Sequence, residues 1–372
     1  MKYLILYIAS LALGGAGAWL VVRWGSGFGL LDKANHRSSH KGVVPKGGGI
    51  GILAAFLLAS WVLGLPILFW VCAGLVSLLS LYGDYREISP KVRLSIQLLG
   101  SVGLLFGLFY WEGRGISVYL LIPFFAVFIA GTANYYNFMD GINGIAGITG
   151  IIAFGLMALF VALSGGHDFF IILSGCMGLA CMGFLPFNMP KARVFMGGVG
   201  SVMLGFVFAG MVVGLSYSLN DFMVLCAFLF PFYADELTTL MVRIKENGRR
   251  EAGGQRSEVG GQRSEVRGQR SEVGERRETG KTGSRKGAKA QRKKDRKMIL
   301  GSLMKPHRRH LYQLLANEMG IDHWKVSTGY GVLQILVGIG ALALRWYGNL
   351  AIVIFLGCCF AGFAAVSCFV RK

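Results

Sequence analysis

Three oxygen-bearing side chains recur at every third position within residues 134–144: Asn137, Asp140 and Asn143. On a helical turn this spacing places the three side chains on one face. Carboxylate and amide oxygens are ligands that suit Mg²⁺ or Mn²⁺ held together with substrate phosphates. A helix cap followed by a glycine turn would give a similar pattern, but the sequence favours a divalent metal site.

A second candidate, Asp84, stands at the end of an apolar run and is followed by Lys91 and Arg93. A carboxylate at a membrane surface can bind a metal or accept a proton, and two nearby cations can hold a phosphate. Charged residues are common at membrane interfaces, so this segment alone would also fit an ordinary loop.

A cluster of cations precedes three consecutive glycines in residues 32–49. Arg37, His40, Lys41 and Lys46 supply positive charge, and glycines at 47–49 allow a ligand to approach the backbone N–H groups. A diphosphate ligand requires both features. A basic anchor loop with a flexible turn fits this segment equally well.

Two further segments carry groups that suit a nucleotide. In residues 187–201, Phe195 could stack on a base and Asn188 could recognise a base edge, although glycine-rich helix starts usually serve packing. In residues 306–313, His307 and His310 flank Arg308. Histidines at this spacing can form half of a zinc site, but no third ligand is evident, and the cationic surroundings favour phosphate binding.

The elements that carry these segments are membrane spans. Hydrophobic residues make up 54% of the 372 residues and charged residues only 15%, with a mean hydropathy of +0.55. An ordinary soluble domain is about a quarter charged. A span needs about 20 mostly apolar residues. Eleven runs qualify, which predicts an all-α, polytopic helical bundle: 3–24, 48–64, 66–82, 94–111, 116–134, 145–164, 169–186, 199–217, 221–241, 328–347 and 350–370.

The distribution of basic residues predicts the orientation. With the N-terminus outside, only Lys2, Arg114 and Arg345 face outward, and the other 35 of 38 basic residues lie inside. All five polar segments then share the cytoplasmic face, while the spans lack a clear ionisable residue at mid-depth. This pattern favours an enzyme of the inner membrane, acting at its cytoplasmic face, over a transporter.

Residues 246–298 form a basic, low-complexity insert that divides the membrane domain into 1–245 and 299–372. The insert holds 17 basic and 8 acidic residues, so it supplies much of the net charge of +19. Its three GQRSEV repeats contain no coiled-coil seam, which predicts a disordered tether. Binding of RNA or anionic lipid is a less favoured alternative, and no nucleic acid is expected as a partner.

Taken together, the five segments resemble the polyprenyl-phosphate N-acetylhexosamine-1-phosphate transferase family, which is glycosyltransferase family 4. The most telling stretches are NHRSSHKGVVPKGGG, NFMDGINGIAG and FNMPKARVFMGGVGS. The resemblance implies transfer of a sugar 1-phosphate from a UDP-sugar to undecaprenyl phosphate, with release of UMP and with Mg²⁺ or Mn²⁺ as cofactor. A homodimer is compatible with the sequence.

The resemblance also implies roles for individual residues. Asn188 and Phe195 would hold the uracil, Lys41 the nucleotide, and His307 and His310 the diphosphate. Asp84 and Asp140, together with Asn137, would handle the metal and the lipid phosphate, beside the phosphate-binding cations Lys91, Arg93 and Arg308.

Two departures from the family pattern raise an alternative. Gly83 and Gly198 stand where the family usually has an acid and a metal-coordinating aspartate. Glycine cannot replace the charge of a carboxylate ligand. The chain is therefore expected either to be an active transferase that initiates an O-antigen-type surface glycan, or to be a weakened relative that binds UDP-sugar or lipid carrier. The region of His307 and His310 favours a UDP-N-acetylhexosamine over the muramyl pentapeptide.

Overall fold

The computed structural model describes residues 2–27, 29–33, 42–86, 88–246 and 310–371. Its helices are α1 (Lys2–Trp24), α2 (Ile50–Val62), α3 (Ile67–Tyr85), α4 (Pro90–Trp111), α5 (Ile116–Tyr119), α6 (Ile122–Met139), α7 (Ile145–Ser164), α8 (Asp168–Asn188), α9 (Gly198–Leu215), α10 (Leu219–Ala227), α11 (Phe230–Glu246), α12 (Leu311–Gln313), α13 (His323–Leu344) and α14 (Asn349–Val370). Two short antiparallel strands, β1 (Leu31–Lys33) and β2 (Val43–Pro45), pair before α2.

The all-α membrane class is confirmed, but the expected count of eleven spans is not. Among the described residues, eight helices are long and apolar enough to cross a bilayer, or nine if α10 and α11 together make one span. The run 48–64 yields only the 13 residues of α2, about 20 Å of helix against a hydrocarbon core of about 30 Å. The run 116–134 is divided by the turn between α5 and α6.

Helix α9 forms the centre of the bundle, since every one of its 18 residues is buried. It packs against α2, α3, α4 and α6, and a helix that is apolar all round is suited to such a position. Small residues allow close approach: a side chain on Gly200 would collide with Gly49, and one on Gly205 would meet Ala133. The N-terminus of α9 is thereby brought against the polar loops.

The remaining helices surround this centre. Helix α1 packs on α8 and α2, and α7 packs on α8 and α13. Helix α14 is the least covered of the spans, with 17% of its apolar window buried. Its apolar side chains are therefore placed to face lipid.

Different loops lie at the two ends of α9. At its start lie Asp84 and the segment that precedes Gly198. At its end, Arg114 donates to the Gly214 and Ser216 carbonyls at 2.5 and 3.2 Å and pairs with Glu112 at 2.7 Å. The structure thus separates Arg114, predicted to face outward, from the loops that carry the candidate site.

The chain divides into two compact units, Met1–Asp235 with His310–Lys372, and Glu236–Arg309. In the second unit only residues 236–246 are described. The predicted insert, 246–298, lies outside the described residues except for Glu246, and the predicted domain boundaries stay a prediction.

Candidate active site

The frame of the site is a set of backbone hydrogen bonds between β2 and the segment before α9. The Phe195 N–H donates to the Pro45 carbonyl at 2.8 Å, and the Phe195 carbonyl accepts from the Gly47 and Gly48 N–H groups at 3.1 and 3.0 Å. The Gly49 N–H donates to the Met196 carbonyl at 2.9 Å. The protein itself therefore uses the three glycine N–H groups that the sequence suggested for a phosphate.

Gly197 is required at the junction of these segments. Its φ is +72°, and a Cβ there would lie 2.7 Å from the Gly47 nitrogen. Left-handed backbone of this kind favours glycine. The close approach fixes the start of α9 directly beside the glycine-rich loop.

Asp84, in the last turn of α3, binds the N-terminus of α9. Its Oδ2 accepts the Gly198 N–H at 2.8 Å, and its Oδ1 lies 3.7 Å from Lys46 Nζ. The positive end of a helix dipole and an ammonium group both stabilise a carboxylate. Lys46 of the segment 32–49 and Asp84 are therefore brought into one cluster with Gly198 of the segment 187–201.

Arg93 lies beside Gly83, the residue that precedes Asp84 in the sequence. A Cβ on Gly83 would be 3.1 Å from Arg93 Nη2, and the buried Arg93 Nε has no hydrogen-bond partner among the described residues. Lys91, two residues earlier and after the Ser89 cap of α4, is exposed. Cations are unfavourable in the first turn of a helix, so these two are suited to an added anion.

Asp140 follows the last residue of α6 and is half-buried. Burial raises the pKa of Asp140 from its ordinary value of 3.8 to about 7, and the charge of Asp84 acts in the same direction. A second acid close to Asp84 therefore resists ionisation at neutral pH unless a cation is present.

Asn137 connects the end of α6 to α9. Its Nδ2 donates to Ser201 Oγ at 2.8 Å. The expected turn does not continue to Asn143, because α6 ends at Met139. Asn143 instead donates to the Pro190 carbonyl at 3.1 Å, so the prediction of three side chains on one helical face is wrong for Asn143.

Asn188 is buried and joins two of the loops. Its Oδ1 accepts the Gly144 N–H at 2.6 Å, and its Nδ2 donates to the Val194 carbonyl at 2.9 Å. Both ends of the amide therefore contact backbone, and its role in holding a uracil stays a prediction. Phe195 is half-buried next to the same segment, and its backbone belongs to the frame described above.

The sequence interpretation missed a fully buried acid, Asp235, at the end of the first part of the chain. Its carboxylate accepts the Leu311 and Tyr312 N–H groups at 2.8 and 3.3 Å and the Tyr330 hydroxyl at 2.7 Å. Asp235 is therefore an ionisable residue buried within the predicted span 221–241, whereas the expectation of no clear ionisable residue at mid-depth stays a prediction. The adjacent acids Asp235 and Glu236 within the apolar run 221–241 were the sequence feature that could have revealed the buried acid.

His310 lies against this acid. It is 7% exposed, its Nδ1 is 3.8 Å from Asp235 Oδ1, and its ring stacks on Tyr312. The Tyr312 hydroxyl donates to the Phe138 carbonyl at 2.9 Å, two residues before Asp140. The segment 306–313 thus contacts the segment 134–144. Lys41, His307 and Arg308 lie outside the described residues, so their predicted roles remain untested.

The residues that could hold a divalent cation are Asp84, Asp140 and Asn137. Within the described ranges, no three His, Cys, Asp or Glu side chains form a metal-binding group. Mg²⁺ commonly uses one or two protein carboxylates and completes its shell with water and phosphates. Two neighbouring carboxylates, one of them with its pKa raised to about 7, fit such an ion.

Comparison with known proteins identifies the family to which part of the chain is similar. The profile of glycosyl transferase family 4 matches residues 66–216, which include Asp84, Asn137, Asp140 and the start of α9. The chain carries a glycosyl transferase family 4 region. The predicted resemblance to the family is therefore confirmed.

Several curated proteins resemble the chain beyond this family 4 region. Undecaprenyl-phosphate alpha-N-acetylglucosaminyl 1-phosphate transferase of Salmonella typhi is 28% identical over 201 residues, covering 48% of this chain and 53% of that protein. The protein of the same name from Escherichia coli K12 is 30% identical over 197 residues with the same coverage. Phospho-N-acetylmuramoyl-pentapeptide-transferase of Streptococcus pneumoniae is 29% identical over 238 residues, covering 57% and 70%. The chain spans about half the length of the first two relatives.

Proposed function

We propose that this chain transfers an N-acetylhexosamine 1-phosphate from a UDP-sugar to undecaprenyl phosphate and releases UMP. The observation that carries the proposal is the cluster at the start of α9, where Asp84 meets Lys46 and the Gly198 N–H. Asp84 and Gly198 lie within the family 4 region. The names of the relatives, which are undecaprenyl-phosphate transferases, support the choice of acceptor.

The proposed reaction is a phosphoryl transfer between two anions. An oxygen of the lipid phosphate forms a bond to the phosphorus that carries the sugar, and the bond from that phosphorus to the bridging oxygen breaks, so UMP leaves with the oxygen. Such chemistry depends on positioning and charge stabilisation more than on covalent catalysis. Lys46, Lys91 and Arg93 are suited to neutralise the approaching phosphates.

We infer that Mg²⁺ or Mn²⁺ would be held by Asp140, Asp84 and the carbonyl oxygen of Asn137. When bound, the ion would supply positive charge to the diphosphate. Asn137 is suited to this role because its amide nitrogen is bonded to Ser201 Oγ, which directs the orientation of the amide. His310, together with His307 and Arg308, would contact the diphosphate.

The proposed setting follows from the topology predicted from basic residues. The active site lies on the cytoplasmic face of the inner membrane, the partners are a UDP-sugar and the lipid carrier, and the product initiates an O-antigen-type surface glycan. A homodimer is compatible with this setting.

The proposal is tested by incubating purified protein with undecaprenyl phosphate, Mg²⁺ and one UDP-N-acetylhexosamine at a time, and by measuring UMP. Release of UMP with formation of a lipid-linked sugar diphosphate is the expected result. A Lys46→Met variant should lose most of this activity, and Lys245→Met, at an exposed lysine of α11, serves as the matched control. No UMP with any sugar, despite intact folding, would contradict the proposal.

A second candidate is a relative that binds its ligands with little turnover. Gly198 favours it, because the first residue of α9 lies next to Asp84 and carries no carboxylate. This candidate predicts UDP-sugar binding by calorimetry together with negligible UMP release.

A further inference from the structure

A polar cavity of about 380 Å³ lies at the end of the bundle opposite the candidate active site. It forms where α7 ends, where α10 begins and where α13 passes into the turn 345–347. Helices α7 and α13 both start next to Asn143, and the 20 residues of α7 measure about 30 Å. The cavity therefore lies about the thickness of a bilayer core from the segment of Asp140.

Arg345 lines the cavity and is held there by uncharged groups. Its Nη1 donates to Ser164 Oγ at 2.9 Å and its Nη2 to the Leu163 carbonyl at 3.0 Å, at the end of α7. The guanidinium also lies 4.2 Å from the centre of the Trp346 ring. A guanidinium has five N–H donors, and its bonds within the described part of the chain use two of them. The others are available to an anion in the cavity.

Asp221 lines the same cavity and is held by the start of α10. Its Oδ2 accepts the Ser218 hydroxyl at 2.8 Å and the Tyr217 N–H at 3.3 Å, and its own N–H donates to Ser218 Oγ at 3.1 Å. These bonds cap the start of the helix. No donor in the described ranges reaches Oδ1, so this oxygen is available to a donor in the cavity.

The two opposite charges thus share one cavity without pairing. Arg345 and Asp221 are both half-buried, and among the described residues neither forms an ion pair. Asn220 Nδ2 donates to the Arg345 carbonyl at 3.1 Å, which fixes the two helix ends relative to each other. Preorganised charges of this kind favour a ligand with complementary charges. The cavity is suited to a zwitterion that carries an anion and a cationic hydrogen-bond donor.

The surroundings of the cavity are typical of a membrane–water interface. Tyr217, Trp346 and Tyr347 are exposed and lie at the ends of helices that are long and apolar enough to cross a bilayer. Tyrosine and tryptophan are enriched at the depth of the phospholipid headgroups. A headgroup of the adjacent leaflet is therefore the zwitterion that lies nearest to the cavity.

We propose that this cavity binds the headgroup of phosphatidylethanolamine. The phosphate accepts hydrogen bonds from the Arg345 guanidinium, and the primary ammonium donates to Asp221 Oδ1. Phosphatidylcholine fits less well because its quaternary nitrogen has no N–H donor, and phosphatidylglycerol because its headgroup has no cation. A saccharide is disfavoured, because the guanidinium already covers one face of Trp346, the ring on which a sugar would stack.

The first test locates the lipid on the purified full chain. Phosphatidylethanolamine that carries a photoreactive diazirine next to its glycerol should crosslink to peptides within residues 160–166, 217–222 or 343–350. Unlabelled phosphatidylethanolamine should compete about tenfold better than phosphatidylglycerol or phosphatidylcholine, because only its headgroup makes both charged hydrogen bonds. Equal competition by the three lipids, or crosslinks confined to other peptides, would overturn the proposal.

The second test exchanges the carboxylate for an amide of the same shape. Asp221→Asn should remove the preference for phosphatidylethanolamine over phosphatidylglycerol as competitors. Asp168→Asn is the matched control, because this exposed acid begins α8 at the same end of the bundle and does not line the cavity. The ratio of two competitors is measured within each variant, so a change in stability alone does not alter it. An unchanged ratio in Asp221→Asn would contradict the proposed contact.

The third test removes the cation. Arg345→Gln should lower crosslinking about tenfold, Arg345→Lys should keep part of it, and Arg23→Gln, at an exposed arginine of α1, should leave it unchanged. Melting temperatures report the loss of the bonds to the end of α7. Full crosslinking in a folded Arg345→Gln variant would overturn the proposal.

Competition with soluble molecules separates the sources of the same chemistry. Glycerophosphoethanolamine should compete far more weakly than the lipid, because it lacks the acyl chains that enter the bilayer. Equal competition would assign the cavity to a soluble phosphoamine, and competition by an N-acetylglucosamine oligosaccharide would assign it to a saccharide; both results would overturn the lipid proposal. Crosslinking needs no UDP-sugar, so its outcome is independent of the proposed reaction.

Discussion

At the scale of single residues, Asp140 is a proposed metal ligand whose ionised form is disfavoured in the folded protein. Its pKa is raised to about 7 by burial and by Asp84, so the folded state keeps a proton that the unfolded state has already lost. The free energy of unfolding therefore falls as the pH rises from the ordinary pKa to about 7, and then levels off. Ionised Asp140 destabilises the metal-free fold at alkaline pH.

Asp140→Asn tests whether the Asp140 carboxylate is needed for turnover and whether its charge destabilises the metal-free fold. Turnover should fall at least about 100-fold, while the metal-free variant should unfold at a higher temperature than the unsubstituted protein at pH 8. At pH 4 the two melting temperatures should converge, since Asp140 is then protonated. Melting curves with a chelator, recorded across this range, provide the measurement, and the exposed Asp322→Asn is the control. Equal melting temperatures at pH 8 would contradict the raised pKa.

Gly198 and Gly83 allow the two candidate functions to be separated. A Cβ on Gly198 would lie 3.1 Å from Ser80 Cβ and 3.5 Å from Asp84 Oδ2, which is tight but places a new carboxylate beside the existing one. One on Gly83 would lie 3.1 Å from Arg93 Nη2, so an acid there gains a cationic partner. Both positions can therefore take the acidic residue that the resemblance to the family led us to expect.

If the chain is a weakened relative, Gly198→Asp combined with Gly83→Asp should raise the rate of UMP release or lower the Mg²⁺ concentration that the reaction requires. The reason is that a carboxylate ligand is added. Gly198→Asn with Gly83→Asn has nearly the same shape without the charge and should give no gain. A substantial rate in the unsubstituted chain that the double aspartate variant leaves unaltered would reject the weakened relative.

At the scale of elements, Asp235 binds the first residues of α12. The carboxylate satisfies two backbone N–H groups and the Tyr330 hydroxyl inside the protein. Buried donors that lose their acceptor cost about 1–3 kcal/mol each. The acid therefore connects α12 to α13 and holds His310 in place.

Removing this acceptor should have graded effects. Asp235→Ala should destabilise strongly and reduce turnover, whereas Tyr330→Phe removes one hydrogen bond and should cost about 1.5–3 kcal/mol. Tyr347→Phe, at a tyrosine that is 76% exposed, should be neutral. Thermal unfolding in detergent measures all three variants. A fully stable Asp235→Ala would mean that water replaces the carboxylate.

At the scale of the whole molecule, the two ends of the bundle should face different compartments. The predicted topology puts 35 of the 38 basic residues on the cytoplasmic side. Lys191→Cys in a cysteine-free background should therefore react only with a cytoplasmic thiol reagent, and His167→Cys only from outside. Labelling of intact cells and of inverted vesicles gives the comparison. Reaction of both positions from the same side would overturn the topology and the proposed location of the site.

The insert should be dispensable for the reaction. Its repeats offer no core-forming pattern, and a long loop adds little closure entropy. Removal of 250–296 should leave expression, the melting temperature and UMP release nearly unchanged. Loss of folding on deletion would show that the segment packs against the membrane domain.

The sequence by itself determined the class of molecule and indicated several of the residues that the structure brings together. Long apolar runs require helices in a bilayer, because backbone groups there can be satisfied only internally. The spacing of Asp84, Asn137 and Asp140 at the ends of such runs placed them at one membrane face, and the residue patterns around them were specific enough to indicate the family. These features are local, so they can be predicted without knowing which helices touch.

Only the tertiary structure decided what each group binds. The glycine N–H groups at 47–49 bond to residues 195–196, both ends of the Asn188 amide bond to backbone, and Asp235 accepts donors from α12 and α13. Each of these partners is distant in sequence or belongs to another element, and a hydrogen bond depends on distances of a few tenths of an ångström. Helix packing around the buried α9 sets those distances, and no pattern along the chain encodes them directly.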